Sequence, residues 1–559
     1  MIVNSNIQPF DQPSEQKSSI ILNPDKNSIL KKRNSSKMVW QKEIDELNER
    51  LELAKGMGGE EGIKRQHDNG KLTVRERIDQ ISDHGSFQEL SALAGSSLYD
   101  DNNELVDLKP YPRVIGISKI NGMRVLLDGG DFTVRGGAGE RGHGSKPNSL
   151  KYATQWRLPL VRLLDAVGGS VRTFEQLGRT YLPAGPGTTM AVELLNEVPV
   201  VSAVLGSVAG LPAIESCLSH FNVMVKGTSQ VFAGGPPVVK AALGYEITKE
   251  DLGDHRSQVF KSGVIDNLAN SEEEAFEHIR KFLSFMPSSV WKKPERIATD
   301  DPVDRREEEL LSIIPRDSKR RYDPYKILEH VLDRNSFFEI SPFYGSSRIT
   351  GLARVNGYPI GVMINNPNRL GGSTDGAAGE KAMKLWSLCD TFHLPVVSFV
   401  DEPGFMVGMD AQNKGIVRAG ARMVVAQCRS QSPWISFYMK QAYGVAGQTH
   451  HRTRGMYHRY AWPSGKWGSM HIEGGVSAAY RRDIASSDDP EAKRQEIEAK
   501  LNAMASPFRT AESTGGENMG HGLDIIDPRD TRPLLCEFVD MAQDMLDTQL
   551  GPPLYPYMP

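Results

Sequence analysis

Cysteine is scarce in this chain: four among 559 residues, at 217, 389, 428 and 536, with no CxxC pair. That excludes a disulfide framework and a cysteine-ligated zinc site, and it suits a reducing compartment. Long apolar runs are missing too, since no stretch reaches the roughly 18 uninterrupted residues that a membrane span requires. The nearest, Val198 to Ile214, is broken by Pro199, Gly206, Gly210 and Pro212 and reads as a buried strand, a tight turn and a helix start. Positive charge is not in excess. Lys and Arg number 66 against 70 Asp and Glu, a net charge of −4, which argues against nucleic acid as the main partner.

What is present is ordinary globular composition, 39% hydrophobic and 24% charged. The length calls for roughly two to four domains. Residues 1–37 are polar and read as a disordered tail. With Arg33 as their only arginine, and with Asp11, Glu15 and Asp25, they make poor mitochondrial presequence material. A cytoplasmic location is expected, with the mitochondrial matrix left open. A charge-rich helix is expected over roughly Met38 to Ala54.

A stretch of low hydrophobicity, Pro287 to Lys319, divides the chain near its middle. The halves on either side repeat each other. LPLVRLLDAVGG (158–169) resembles LPVVSFVDEPGF (394–405), and VPVVSAVLGSVAG (198–210) resembles SPWISFYMKQAYG (432–444), both at an offset of about 235 residues. Each motif is a β-branched run that ends in small residues before helical material, which predicts parallel sheets with crossover helices. The expected organisation is an N-terminal domain over 38–297, a linker over 298–319, a C-terminal domain over 320–550 and a tail over 551–559.

Two strand-to-helix turns are candidates for chemistry. In the first half, the strand VVSAV runs through Gly206-Ser207-Val208-Ala209-Gly210 into Leu211-Pro212 and a helical pattern. Proline favours the first helical position and keeps the preceding residue out of the helical region, so Leu211 is the expected cap. The second half supplies Gln441 to Gly447 after WISFYMK. Such junctions present backbone N–H groups at the positive end of a helix, which suits an oxyanion. On spacing alone, glycines that merely permit tight strand-to-helix packing account for the same pattern.

Other motifs lead elsewhere. Gly137 to Gly142 spells GxGxxG, yet no helix opens within it and no acidic ribose partner follows, against a dinucleotide site. Ala382-Met383-Lys384-Leu385 looks like a biotinylation site, but its lysine lies in a helical pattern rather than at a hairpin tip. His450, His451 and His458 stand among Arg452, Arg454 and Arg459, which would repel a metal cation. That run is expected to be a solvated face or a basic patch toward a substrate carboxylate or phosphate. No metal site, P-loop or Ser-His-Asp constellation emerges.

With these turns in place, the chain resembles the carboxyltransferase (β) subunit family of biotin-dependent acyl-CoA carboxylases, the propionyl-CoA and methylcrotonyl-CoA types. The resemblance runs from about Leu47 to Leu550. It is carried by GKLTVRERIDQISDHGSFQEL (70–90), DFTVRGGAGERGHGSK (131–146), GTSQVFAGGPPVVKAALGYEITKEDLG (227–253), SGVIDNLANSEEEA (262–275), SFVDEPGFMVG (398–408), YAWPSGKWGSMHIEGGV (460–476) and LDIIDPRDTRPLL (523–535). It implies an α/β fold of two tandem crotonase-like (ClpP/crotonase) domains with parallel-sheet ββα superhelical architecture. It implies acyl-CoA as substrate on the N-terminal side and biotin, carried in trans on a partner protein, on the C-terminal side. The implied partners are a biotin carboxylase/biotin carrier α subunit and further copies of the chain, as a homodimer or trimer of dimers. The implied reaction moves a carboxyl group from carboxybiotin to the α- or γ-carbon of the acyl group, through enolates held by backbone oxyanion holes.

Carried over residue by residue, the thioester hole falls on Gly210 and Leu211 and the biotin-side hole on Val445 and Ala446. Acyl-CoA binding falls on Arg135, Gly136, Gly137, Gly168 and Gly169. The biotin or acyl pocket falls on Gly404, Phe405, Gly444 and Gln448, the last tied to acyl selectivity. The chain departs from the family where Leu211 and Val445 each replace a second glycine, and where Pro212 follows the first turn. Neither loses its amide. A left-handed conformation costs roughly 1–2 kcal/mol, less than the roughly 2.7–4 kcal/mol of one oxyanion donor, but both side chains would narrow their pockets. A biotin-independent acyl-CoA decarboxylase of the same fold and a catalytically silent assembly partner are the alternatives.

Overall fold

A computed structural model describes residues 39–138, 148–169, 171–182, 187–317, 320–452, 454–513 and 523–559. The tail at 1–37 and most of the GxGxxG motif lie outside them. Residues separate into two compact units, 1–52 and 53–559. Among the described residues of the first, Gln41 bonds Asp45 at 2.8 Å and Arg50 bonds Glu46 at 3.0 Å. Among the described residues no helix is long and apolar enough to cross a membrane.

The larger unit contains two main sheets. The first has seven strands: β1 (Gln88–Leu90), β2 (Arg113–Ile120), β3 (Met123–Gly130), β4 (Leu160–Leu164), β5 (Val200–Val204), β6 (Phe221–Val225) and β7 (Asn267–Ala269). The second has β8 (Phe338–Ile340), β9 (Arg348–Val355), β10 (Tyr358–Asn365), β11 (Val396–Glu402), β12 (Trp434–Tyr443), β13 (Tyr457–Ala461) and β14 (Asp524–Ile525), with Lys466–Gly468 also pairing β12. In both, the first three strands run antiparallel and the later ones parallel, each beside its predecessor. Leu160 pairs with Val200 in one sheet and Val396 with Trp434 in the other.

Backbone geometry repeats at the same offset. Asn121-Gly122 and Asn356-Gly357 turn their hairpins with positive φ, and Arg135-Gly136-Gly137 and Leu370-Gly371-Gly372 also have positive φ, each pair 235 residues apart. The duplication read from the two motifs thus extends to turns in which the residues differ.

Both sheets are buried on both faces. Every residue of β4, β5, β6 and β9 is buried, Arg162, Arg348 and Arg354 included. One core cluster joins both halves, with Phe221 stacked on Phe282 at 5.1 Å and edge-on to Phe338 at 5.5 Å. Within the stretch read as a linker, Asp301 and Leu310 are buried. Asp301 pairs with Arg305 at 2.7 Å. Buried Arg532 reaches Asp333 at 2.9 Å and donates to the carbonyls of Val331, Pro302 and Asp301. Removing one partner from such a cluster strands buried charge. Arg532→Met should therefore lower stability by about 3–5 kcal/mol, measured by urea unfolding.

Candidate active site

The parallel strands of each sheet end at one edge, and the candidate residues gather there. In the first half three turns meet. The Val167 amide donates to the Gly136 carbonyl at 3.0 Å, and the Ala209 amide to the Ala166 carbonyl at 3.3 Å. A Cβ on Gly168 would stand 3.0 Å from the Ala209 carbonyl and 3.5 Å from Gly210 Cα, and one on Gly137 would strike Ala166. Gly136, Gly137, Gly168 and Gly210 are therefore brought together, whereas Gly169 faces open space.

The helix Leu211–Cys217 begins one residue earlier than the proline suggested. Gly210, not Leu211, is the cap, with φ 66° and ψ −129°. Its carbonyl accepts from Ala213 and Ile214, and glycine takes this left-handed conformation without the Cβ penalty that leucine would meet. The Gly210 amide points at the Phe232 carbonyl at 3.4 Å, a long bond, while the Leu211 amide has no backbone acceptor among the described residues. The Leu211 side chain is 56% exposed, so it borders the turn and does not fill it.

The second half repeats this design. β12 ends at Gly444, which has φ 61°, and the short helix Gly444–Gln448 follows. The amides of Val445 and Ala446 have no backbone acceptor among the described residues. Val445 is 51% exposed, Ala446 is buried and Gln448 is exposed. Pairing of Glu402 with Ala442 sets this turn beside the one carrying Gly404 and Phe405. There the Thr374 amide donates to the Gly404 carbonyl at 3.1 Å, and the Met406 amide to the Thr374 carbonyl at 2.9 Å. Phe405 packs on Gly420, where a Cβ would meet its ring.

Buried charge supports each turn. Under the first, fully buried Asp165 accepts from Lys71 at 2.9 Å, Arg77 at 3.0 Å and Gln66 at 2.8 Å, and Arg77 also binds Glu272. Gly206 is confined against this carboxylate, which a Cβ would strike. Under the second, the Glu402 carboxylate accepts from Arg348 at 2.6 Å, Thr374 at 2.6 Å, Asn365 at 3.1 Å and the Gly404 amide at 3.0 Å, with His450 at 3.3 Å. Burial would raise the Glu402 carboxyl, but His450 and Arg348 beside it hold it below the usual range. Sequence reasoning passed over this cluster. Its one signal was a glutamate at 402 where the repeat places Ala166 in the first half.

The histidine- and arginine-rich run needs correction. It is neither a solvated face nor an anion patch, because His450 and Arg452 are buried and Arg452 donates to the carbonyls of Gln431 and Ser432. Burial, reinforced by Arg348, holds the His450 imidazole down to about 4, and burial, reinforced by Arg459, does the same for His451. Arg454 is exposed, and His458 pairs with Asp524 at 2.9 Å. Lys384 sits in the helix Gly376–Phe392, paired with Asp266 at 2.8 Å, as its rejection as a biotinyl site anticipated. A cleft of about 1240 Å³ lies at the opposite ends of the strands, beside the Asn121-Gly122 hairpin and Arg354. Arg354 is occupied there by the carbonyls of Ser284, Glu295 and Gly357.

The winding and the repeated turns define a crotonase-like α/β protein. Residues 65–548 match the carboxyl transferase domain, and the chain belongs to that family. It is 32% identical over 515 residues to the propionyl-CoA carboxylase carboxyltransferase subunit of Haloferax mediterranei, covering 92% of this chain and 98% of that one. It is 31% identical to the methylmalonyl-CoA decarboxylase subunit alpha of Veillonella parvula, covering 90% and 96%. Among solved structures it resembles the transcarboxylase 12S hexamer with methylmalonyl-coenzyme A and methylmalonic acid bound, with a TM-score of 0.79, 28% identity, and 90% and 95% of the two chains covered.

Burial also carries a pH signature. His220 is held down to about 3 by burial, and His450 and His451 to about 4. Folded, these rings stay neutral where unfolded rings, near 6.5, take up protons. Their contribution to stability is present above about pH 6.5 and is lost as pH falls through about 4. The urea midpoint should fall steadily between pH 6.5 and 4.5. His220→Asn should lower stability at pH 7 by about 1–3 kcal/mol and show a shallower fall.

Proposed function

We propose that this chain is the carboxyltransferase part of an acyl-CoA carboxylase, transferring a carboxyl group between biotin carried by a partner protein and a short acyl-CoA such as propionyl-CoA. The observation that carries the reading is the pair of turns, one per half, at the carboxyl ends of parallel strands, where the amides of Leu211, Val445 and Ala446 have no backbone acceptor among the described residues. Residues 38–297 form the acyl-CoA side, where Arg135, Gly136, Gly137, Gly168 and Gly169 receive the coenzyme near the thioester. Residues 320–550 form the biotin side.

On the acyl side the Leu211 amide holds the thioester oxygen as it becomes an enolate. Gly210 sets the turn, its own amide being engaged with Phe232 at 3.4 Å. On the other side the amides of Val445 and Ala446 hold the ureido oxygen of biotin. Open space over Gly404 suits a ring there, since nothing lies within 4 Å of where its Cβ would stand. When bound, carboxybiotin supplies carbon dioxide and a base for the acyl α-proton, so no side-chain acid is needed. Leu211 and Ile214, both more than half exposed, are apolar walls that shed water and favour a small acyl group. Val407, Met409 and Val417, exposed at 82%, 76% and 73%, offer apolar surface near the second turn to another copy of the chain. A dimer or trimer of dimers would set the acyl side of one copy against the biotin side of the next, with a biotin carboxylase and biotin carrier subunit delivering biotin.

A second reading is decarboxylation, as in the relatives named methylmalonyl-CoA decarboxylase subunit alpha, 31% and 29% identical. Incubation with methylmalonyl-CoA, with and without free biotin, separates the two. Biotin-dependent loss of carboxylate supports transfer, biotin-independent loss supports decarboxylation, and no loss leaves an assembly role. Leu211→Pro deletes one N–H at a first helical position that proline tolerates. It should lower kcat by about 10²- to 10³-fold with the melting temperature nearly unchanged.

A further inference from the structure

The two halves share a backbone plan, yet they hold their turns differently. Where the first half has Ala166, the second has Glu402, a fully buried carboxylate with five hydrogen-bonding neighbours. One oxygen accepts the Gly404 amide. The other accepts the Thr374 hydroxyl, Asn365 and Arg348, with the His450 ring alongside. Ser398 lies 2.8 Å from His450 Nδ1, so Ser398 donates there and Nε2–H of the neutral ring donates to Glu402. Thr374 and Gly404 are also joined to each other through backbone bonds. A single side chain therefore fastens the Leu370–Thr374 turn to the Pro403–Met406 turn.

A buried ion pair of this kind contributes little net stability compared with apolar residues of equal volume, so stability does not account for its presence. We infer that Glu402 is a positioning residue: it locks Thr374 and Gly404 into one rigid wall of the pocket that receives the biotin ring, at a position where the acyl side has Ala166. The inference rests on the reading that the second-half turn takes biotin. Glu402 itself does not reach that pocket, because it is wholly buried.

The test compares two double variants, Arg348→Met with Glu402→Leu and Arg348→Met with Glu402→Gln. Both avoid an unpaired buried charge, and only the glutamine can still bond Gly404 and Thr374. The assay is carboxyl transfer from methylmalonyl-CoA to free biotin by the full chain. The leucine variant should raise KM for biotin about tenfold or more, as a loosened wall misplaces the ring, and leave KM for methylmalonyl-CoA within about twofold. The glutamine variant should restore KM for biotin, with melting temperatures of the two alike. Equal biotin KM values in the two variants, or parallel changes in both KM values, would overturn the inference. Hydrogen exchange in the wild-type chain tests it independently of folding in the variants. The Gly404 amide should exchange slowly, and exchange as fast as at exposed Gly408 would overturn the wall. A wild-type chain that cannot use biotin at all would refute the proposed function and this inference together, whereas failure of the variants alone refutes only the inference.

Discussion

An amide free to bind a developing negative charge, the role proposed for those of Leu211, Val445 and Ala446, has to remain unpaired in the resting protein, and the fold leaves room for that. An unsatisfied buried donor costs about 1–3 kcal/mol, so such amides survive only at an edge that substrate can enter and over a base that cannot relax. The winding supplies the edge. Because each parallel strand lies beside its predecessor, the turns after β3, β4 and β5 all emerge at one end of the first sheet, and those after β10, β11 and β12 at one end of the second. Burial of both sheet faces supplies the rigid base.

After β4 and at the end of β11 the chain carries a buried aspartate, and both are paired. Asp165 is satisfied by Lys71, Arg77 and Gln66. Its partner in the repeat, Asp401, accepts from Tyr322 at 2.9 Å and Gln441 at 3.2 Å. Charges this deep move only with their partners, so they transmit strand geometry to the turn above. The backbone of the turns thus depends on side chains set beneath it.

The turns were legible in the sequence because main-chain geometry leaves a residue signature: glycine where φ is positive, proline near a helix start, and β-branched runs before both. The same logic explains why the repeat was visible at an offset of about 235 and why it holds at Arg135 and Leu370, whose φ values of 52° and 48° match although their side chains do not. Burial of charge was not legible. The run from His450 to Arg459 has the composition of a surface. Only its place after β12, with Ser398 and Glu402 against His450 and two carbonyls on Arg452, turns half of it inward. The cap at Gly210 was misplaced by one residue for a related reason. The rule for proline concerns its immediate neighbour, whereas the cap went to the one residue able to adopt φ 66°.

Leu211 and Val445 then acquire a clear meaning. Losing a second glycine would be ruinous if the turn needed two left-handed residues, but in each half the left-handed position is the first, Gly210 or Gly444, and the following residue lies in the first turn of a helix. The amide is kept and the side chain points outward, half exposed. Chemistry that depends on the main chain places no demand on what that side chain is, so this position can vary in size without loss of the oxyanion donor. It is therefore where a protein of this fold can change the acyl group it admits, or its need for biotin, while its backbone machinery stays the same.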